Sequence, residues 1–277
     1  MRHPVISLTT DFGTADHYVG TMKAVILGIA PGACIVDVSH QIPPFDIMDG
    51  AYLIAQGARY FPPKSIHVVV VDPGVGSARR PILAEAHGQF FIAPDNGVLS
   101  MIFETAGGAG PRPAALSQGA SKEVVRHITA DRYFLKPTSQ TFHGRDVFAP
   151  TAAHLAAGIP PSRFGKRIHD YLRLDFSRPR RTGKHVWTGL VLHVDRFGNL
   201  VTNFHLDEFP GVAARGFEMN VGLEKLSRLV ANFSEAQPGE LVAIVGSSRY
   251  LEVVANQASA AKRLGCGAGA PIELILY

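Results

Sequence analysis

The sequence predicts an α/β protein: an N-terminal domain built on a mainly parallel sheet, followed by a smaller all-β domain. Three observations carry this expectation. The first 70 or so residues alternate strand and helix patterns in the order βαβαβ, which calls for a parallel, doubly wound sheet. Four consecutive valines at 68–71 read as a strand buried on both faces, as in a parallel sheet covered by helices. After Asp175 the pattern changes to short apolar runs punctuated by turn residues, the signature of a small barrel or sandwich.

Taken in order, residues 5–9 form a short strand closed by Thr10-Asp11-Phe12-Gly13. Residues 16–29 follow with a helical apolar face that includes Val19, Met22, Ile26 and Ile29, and Pro31-Gly32 ends it. A strand at 34–38, a proline-bearing loop at 41–45 and a helix at 47–60 lead to Pro62-Pro63 and the valine strand. That strand stops at Asp72-Pro73-Gly74, where proline and glycine end the ladder and turn the chain outward. Residues 82–86 and 89–92 read as a hairpin around His87-Gly88, with a helix at 97–104. The Gly-, Ala- and Pro-rich stretch at 107–119 reads as a surface loop, and 124–128 as a strand. The string TFHGRD (141–146) then opens an alanine-rich helix at 147–157, placing His143 at a helix start. Beyond a boundary at 176–186 come GLVLHVDRFGNLVTN, FEMNVG, ELVAIVGSSRYLEVVAN and PIELILY. The domains are therefore expected at 1–178 and 186–277.

Composition excludes several classes. Of 277 residues, 46% are apolar and 18% charged, which fits a packed core and no disordered tract. The net charge of +4 is spread along the chain, and its densest cluster (Arg178, Arg180, Arg181, Lys184) reads as a solvated linker. With no recognised nucleic-acid motif beside it, no nucleic-acid partner is expected. The two cysteines, Cys34 and Cys266, have no metal or disulfide spacing and are expected as buried free thiols. The N-terminus lacks an apolar leader, and no apolar stretch reaches the roughly 18 residues a membrane span requires, so a soluble cytoplasmic protein is expected.

Five polar clusters stand at strand ends or helix starts: TTDFG (9–13), VDPGVGSARR (71–80), TFHGRD (141–146), VDRFGN (194–199) and GSSRYLEVVAN (246–256). Any one alone is more often an ordinary turn or cap. Together they fit a site assembled from loops on a rigid scaffold. Asp72 ends a buried strand, where open α/β sheets bind ligands, and Arg79 lies seven residues on, within reach of its carboxylate. His143 sits where free helix N–H groups favour anions, and Gly144 beside it allows close ligand approach. Asp11-Phe12-Gly13 has no kinase context, and Gly74-Val75-Gly76 lacks the Walker spacing. Asp11, Asp16, His17, Asp72, His143 and Asp146 lack HxH, HExxH or DxD spacing, so no metal is expected.

TTDFG, VDPGVGSARR, APDNG, TFHGRD, VDRFGN and SSRYLEVVAN, in this order along nearly the whole chain, resemble the S-adenosylmethionine hydroxide adenosyltransferases (DUF62), relatives of the fluorinating and chlorinating halogenases. The resemblance implies an N-terminal α/β domain, a C-terminal β-barrel, and a homotrimer whose sites lie between subunits. It implies hydrolysis of S-adenosylmethionine to adenosine and methionine by attack of water on the ribose C5′, with the small molecule as substrate and no cofactor. By motif, Asp72, Arg79 and His143 correspond to the set that binds and activates the water. Asp11 corresponds to the residue on the ribose hydroxyls. Asp195, Ser248 and Arg249 fall near the methionine group, Phe197 and Asn199 in a segment contacting adenosine or methionine, and Tyr250 and Asn256 beside the adenine. Where the fluorinating relatives have a tyrosine and a halide-contacting serine, this chain has Asp72 and Gly144. A carboxylate repels halide, so the resemblance favours water. Which of Asp72 and His143 is the base stays open. So do two other readings, a halogenase-type transferase and a non-catalytic adenosine or S-adenosylmethionine sensor, with a metal-dependent hydrolase as a third.

Overall fold

The computed structural model describes residues 3–104, 123–176, 178–214 and 216–277; the loop expected at 107–119 lies outside them. The chain divides into two units, Met1–Leu174 and Asp175–Tyr277.

The first unit opens with β1 (Val5–Thr10), α1 (Tyr18–Ile29), β2 (Cys34–Ser39), α2 (Ile47–Ala58) and β3 (Ile66–Val70). β1 pairs in parallel with β2 on one side and β3 on the other, so the chain reverses its direction of winding at β1. The crevice this leaves at the carboxyl ends of β1 and β3 is where doubly wound sheets take ligands. Next come β4 (Pro81–Ala86), β5 (Gln89–Pro94), α3 (Ser100–Glu104), β6 (Val124–His127), α4 (Ala149–Ala156) and β7 (Arg167–Ile168). The sheet order is β2-β1-β3-β5-β4-β6-β7. Only the first four of these strands run parallel; β5-β4, β4-β6 and β6-β7 pair antiparallel. The sheet is thus mixed rather than mainly parallel. The predicted hairpin is the cause: His87 (φ 52°) and Gly88 (φ 74°) turn the chain back on itself with no crossover.

Alternation along the strands sends side chains to two helical layers. Ile6, Leu8, Val68 and Val70 pack in one core with Met22 and Ile26 of α1 and Ala149, Ala152 and Ala153 of α4. The opposite face takes α2, where Gly50 lets the helix come down onto Val71. Neither cysteine is in a disulfide, but the expectation that both are buried fails for Cys34, which is exposed. It begins β2, the edge strand, where one side of the ladder has no neighbour among the described residues.

The second unit contains β8 (Arg180–Arg181), β9 (Val186–Val194), β10 (Leu200–His205), α5 (Gly211–Ala214), β11 (Phe217–Val221), β12 (Glu224–Leu226), β13 (Leu229–Val230), β14 (Leu241–Val245), β15 (Tyr250–Ala255), α6 (Ala260–Leu264) and β16 (Pro271–Leu276). Its sheet runs β12-β11-β16-β9-β10-β15-β14-β13, with β8 on β9. Part of the basic cluster is therefore strand: Arg180 and Arg181 pair with Thr188 and Trp187, and Arg181 lies over the Trp187 ring. The sheet curls around an apolar interior that includes Val191, Phe204, Met219, Leu251 and Leu274. Its ladder ends at β12 and β13, giving a half-barrel among the described residues.

Candidate active site

β3 delivers Asp72 to the crevice, and the strand end is tied down by Asn96, whose Nδ2 donates to the Val71 carbonyl at 2.8 Å. The 74–77 turn then brings Arg79 back. Its Nε donates to Asp72 Oδ1 at 2.9 Å, and one terminal nitrogen donates to Oδ2, completing a two-pronged ion pair. Only 9% of the Arg79 side chain and 4% of the Asp72 side chain are exposed, so this pair is largely out of water. Beneath it the Phe148 ring lies 5.4 Å from the guanidinium carbon.

The same terminal nitrogen of Arg79 lies 2.7 Å from His143 Nδ1. A guanidinium has donors and no acceptor, so Nδ1 must be bare and the imidazole proton must sit on Nε2. Burial, followed by the positive charge of Arg79, holds the His143 pKa below its ordinary value, against the opposing charges of Asp72 and Asp146. The ring is therefore neutral at neutral pH. His143 precedes a π-helical turn at Gly144–Phe148, closed by the Ala149 N–H on the Gly144 carbonyl, and such wide turns recur at functional sites.

β1 delivers Asp11 beside Asp72. Burial pushes the Asp11 carboxyl above its usual range and the charge of Asp72 adds to this, while the Phe45 N–H opposes it. That N–H donates to Asp11 Oδ2 at 2.9 Å. Phe45 has φ 72° and a residue exposure of 68%, so a strained backbone holds an aromatic ring out beside the crevice. Phe45 and Phe148 were not among the residues singled out by sequence. The only local signal for Phe45 is an aromatic residue ending a proline-bearing loop.

Gly144 is closed in. A Cβ there would lie 3.2 Å from each of Met22 Sδ, Phe12 Cε2 and Phe142 Cε2. A side chain at this position would meet apolar neighbours at once. Among the described residues, no group of three His, Cys, Asp or Glu side chains is arranged to hold a metal ion.

The remaining predicted residues lie in the second unit and fall at the two ends of β10. At its start, Asp195 Oδ1 accepts the N–H groups of Phe197 and Asn199, both at 2.9 Å, and Oδ2 accepts the Asn199 side-chain amide at 2.8 Å. Asp195 and the buried Asn199 thereby build the turn, and Phe197 projects from it at 78% exposure. Asn256 anchors the neighbouring loop through Nδ2 on the Ala236 carbonyl. At the far end of β10, Ser248 sits half-buried in the β14–β15 turn. Arg249 (φ 64°) pairs with Asp207, and the Tyr250 ring meets His205 edge-on at 4.9 Å. Nearer the start of β10, where Glu252 pairs with Val201, sequence missed one titratable group: burial, with the Asp195 charge, pushes Glu252 up to about 7, against an opposing effect of His193.

The sequence and fold have close counterparts. Residues 6–165 match the family model of the S-adenosylmethionine hydroxide adenosyltransferase N-terminal domain, and residues 189–273 that of the C-terminal domain. A protein named (R)-S-adenosyl-L-methionine hydrolase from Methanocaldococcus jannaschii is 34% identical, covering 98% of this chain and 95% of its own. One of the same name from Thermus thermophilus is 35% identical over 98% and 99%. A fluorinase from Actinoplanes is less similar, at 28% identity over 98% and 97%. Among solved structures, a conserved protein from Thermotoga maritima superposes with a TM-score of 0.84 at 35% identity, covering 98% of this chain and 99% of its own. With both halves matched in order and relatives about 35% identical over nearly the whole chain, this chain belongs to the S-adenosylmethionine hydroxide adenosyltransferase family.

Proposed function

We propose that this protein hydrolyses S-adenosyl-L-methionine to adenosine and L-methionine, and that Asp72, Arg79 and His143 carry the chemistry. The observation that carries the residue assignment is the single guanidinium shared between a buried carboxylate and a neutral imidazole at the sheet's switch point. The similar hydrolases carry the (R) prefix in their names, and we extend that sulfonium epimer to this chain as substrate.

In the reaction, a water oxygen forms a bond to C5′ while the C5′–S bond breaks, its electron pair returning to sulfur as a neutral thioether. The sulfonium leaves without acid help, so the enzyme must place the water in line and take its proton. His143 is badly placed for the second task. Its Nδ1 lone pair already accepts from Arg79, and its other nitrogen carries the ring proton. Asp72 gives each oxygen one bond to Arg79 and keeps lone pairs open, so it accepts the proton and passes it to solvent. Arg79 stabilises the developing hydroxide in a site screened from bulk water. Asp11 takes the ribose hydroxyls, and the Phe45 ring supplies an apolar wall.

A halogenase reading is disfavoured by Gly144, where an added hydroxyl-bearing side chain would press on Met22, Phe12 and Phe142. The proposal extends to a homotrimer of cytoplasmic location. In it, a closed barrel completed around the curled sheet presents Asp195, Phe197, Asn199, Ser248, Arg249, Tyr250 and Asn256 to methionine and adenine. No metal, nucleic acid or membrane takes part. Sedimentation velocity tests the trimer.

The decisive experiment is turnover of each S-adenosylmethionine epimer in ¹⁸O-water with mass analysis. Label on the adenosine 5′-oxygen is expected, and unlabelled adenosine or no turnover overturns the reading. The Asp72→Asn protein should still bind substrate and lose about a hundredfold or more in kcat.

A further inference from the structure

Asp146 is fully buried, at 0% exposure, yet touches neither Arg79 nor Asp72 through any bond described above. Its carboxylate looks the other way. Oδ2 accepts the Ser139 N–H at 2.8 Å, and Arg145 donates to both oxygens, at 2.5 and 2.9 Å. Its backbone adds two further ties, the carbonyl accepting from Leu135 at 2.9 Å and the N–H donating to the Phe142 carbonyl at 3.1 Å. One residue thus gathers positions 135, 139 and 142 around the turn that carries His143.

The other side of this segment is pressed by the Asp72–Arg79 loop itself. Gly76 has φ +78°, and a Cβ on it would lie 2.6 Å from the Gln140 carbonyl oxygen. Only glycine fits, because both the backbone angle and the contact exclude a side chain. Between these two holds, the Ser139 backbone faces the His143 ring as an acceptor that favours its protonation. Burying a carboxylate is costly unless it is paired and hydrogen-bonded, and here the pairing serves a loop leading to the site rather than the apolar core.

We propose that Asp146 is a positioning residue for the proposed hydrolysis: with Gly76 it clamps the 139–141 segment from two sides and so aims the bare Nδ1 of His143 at Arg79. Asp146 acts through Ser139 and His143 and does not touch substrate. Removing the Asp146 carboxylate, or forcing a methyl at Gly76 against Gln140, shifts the 139–141 segment and lets His143 swing, freeing the guanidinium from one of its two acceptors.

The inference rests on the hydrolase reading, and the wild-type protein separates the two: absence of wild-type turnover defeats that reading, whereas an active wild type with indifferent variants defeats this one. Asp146→Ala and Gly76→Ala should each lower kcat about tenfold or more with KM held within about threefold, the split expected when transition-state geometry alone is lost. Asp146→Asn keeps an oxygen for the Ser139 N–H and should recover kcat to within about threefold of wild type. Should Asp146→Ala fail to fold, Gly76→Ala decides alone, since the contact it forces on Gln140 arises in an exposed turn and not in the core. Normal kcat in Gly76→Ala, or an Asp146→Asn protein as impaired as the alanine variant, overturns the proposal.

Discussion

Arg79 does two jobs with one planar group: it grips both oxygens of Asp72 and still reaches His143. A lysine carries the same charge but only a single nitrogen on a flexible stem, and cannot copy the fork. Arg79→Lys should therefore lower kcat about a hundredfold, with a thermal midpoint within a few degrees of wild type, because the charge in the buried pair is kept. Steady-state rates and a melting curve check this, and a lysine variant within about threefold of wild type would show that geometry is not what Arg79 supplies. The acid limb of the pH–rate profile follows from the same contact. Protonating Nδ1 turns an acceptor into a donor facing a donor, so activity is lost as His143 titrates. Since burial and Arg79 lower that pKa, the limb should lie below the ordinary histidine value of 6.5. A limb centred above 6.5 would contradict the contact.

At the scale of elements, α2 sets the height of β3. The Gly50 Cβ position is 2.9 Å from Val71 Cγ2 and 3.3 Å from Val98 Cγ2, both buried, and Val71 directly precedes Asp72. Gly50→Ala gains up to about 1 kcal/mol of helix propensity but overpacks a tight contact at a cost of about 1–3 kcal/mol. The balance should be destabilising, read as a lower urea midpoint with an unchanged slope; a raised midpoint would mean that α2 moves freely off the sheet. These contacts also explain what could be read in advance. Asp72 was legible because it ends an apolar run at a turn, and His143 because it stands beside Gly144 at a helix start, signals confined to a few residues. The hairpin at His87-Gly88 was equally local, but its consequence, an antiparallel half to the sheet, depends on which strand β5 joins. The role of Phe45 depends on an Asp11 bond spanning 34 positions, and that of Gly76 on Gln140, 64 positions away. No window of sequence contains either pair. Asp195, by contrast, reads as a ligand residue from its motif, while its carboxylate is occupied in shaping its own turn.

For the whole molecule, His67 in the first unit and Glu252 in the second are shifted furthest and pull the two units in opposite directions on acidification, with the raised Asp11 and the lowered Glu240 working against them. In the first, burial pushes His67 down to about 4 from 6.5; the ring is stacked on Phe91 and shares a 2.6 Å hydrogen bond with Ser7. A histidine whose folded pKa is depressed binds its proton more readily when unfolded. Its stabilising contribution is complete above pH 6.5 and is lost as pH falls through about 4. Between about pH 8 and about pH 5 the loss is about 2 kcal/mol. His154 and His127, both lowered chiefly by burial, act in the same sense. Asp37 and Glu123 do so too: their carboxyls lie below the usual range, with burial working against that shift and their Lys23 and Tyr171 hydrogen bonds driving it. In the second unit, Glu252 is raised from 4.5 to about 7, so its ionisation opposes folding and the unit gains as pH falls from 7 toward 4.5. Hydrogen exchange measured at about pH 7.5 and about pH 5, corrected for intrinsic rates, reads the two units separately. On acidification, amides of β1 and β3 should lose protection relative to those of β9 and β10. His67→Gln should flatten the response of the first unit and leave that of the second unchanged, and Glu252→Gln should do the reverse. Parallel loss of protection in both units, unaltered by either substitution, would place the acid sensitivity elsewhere.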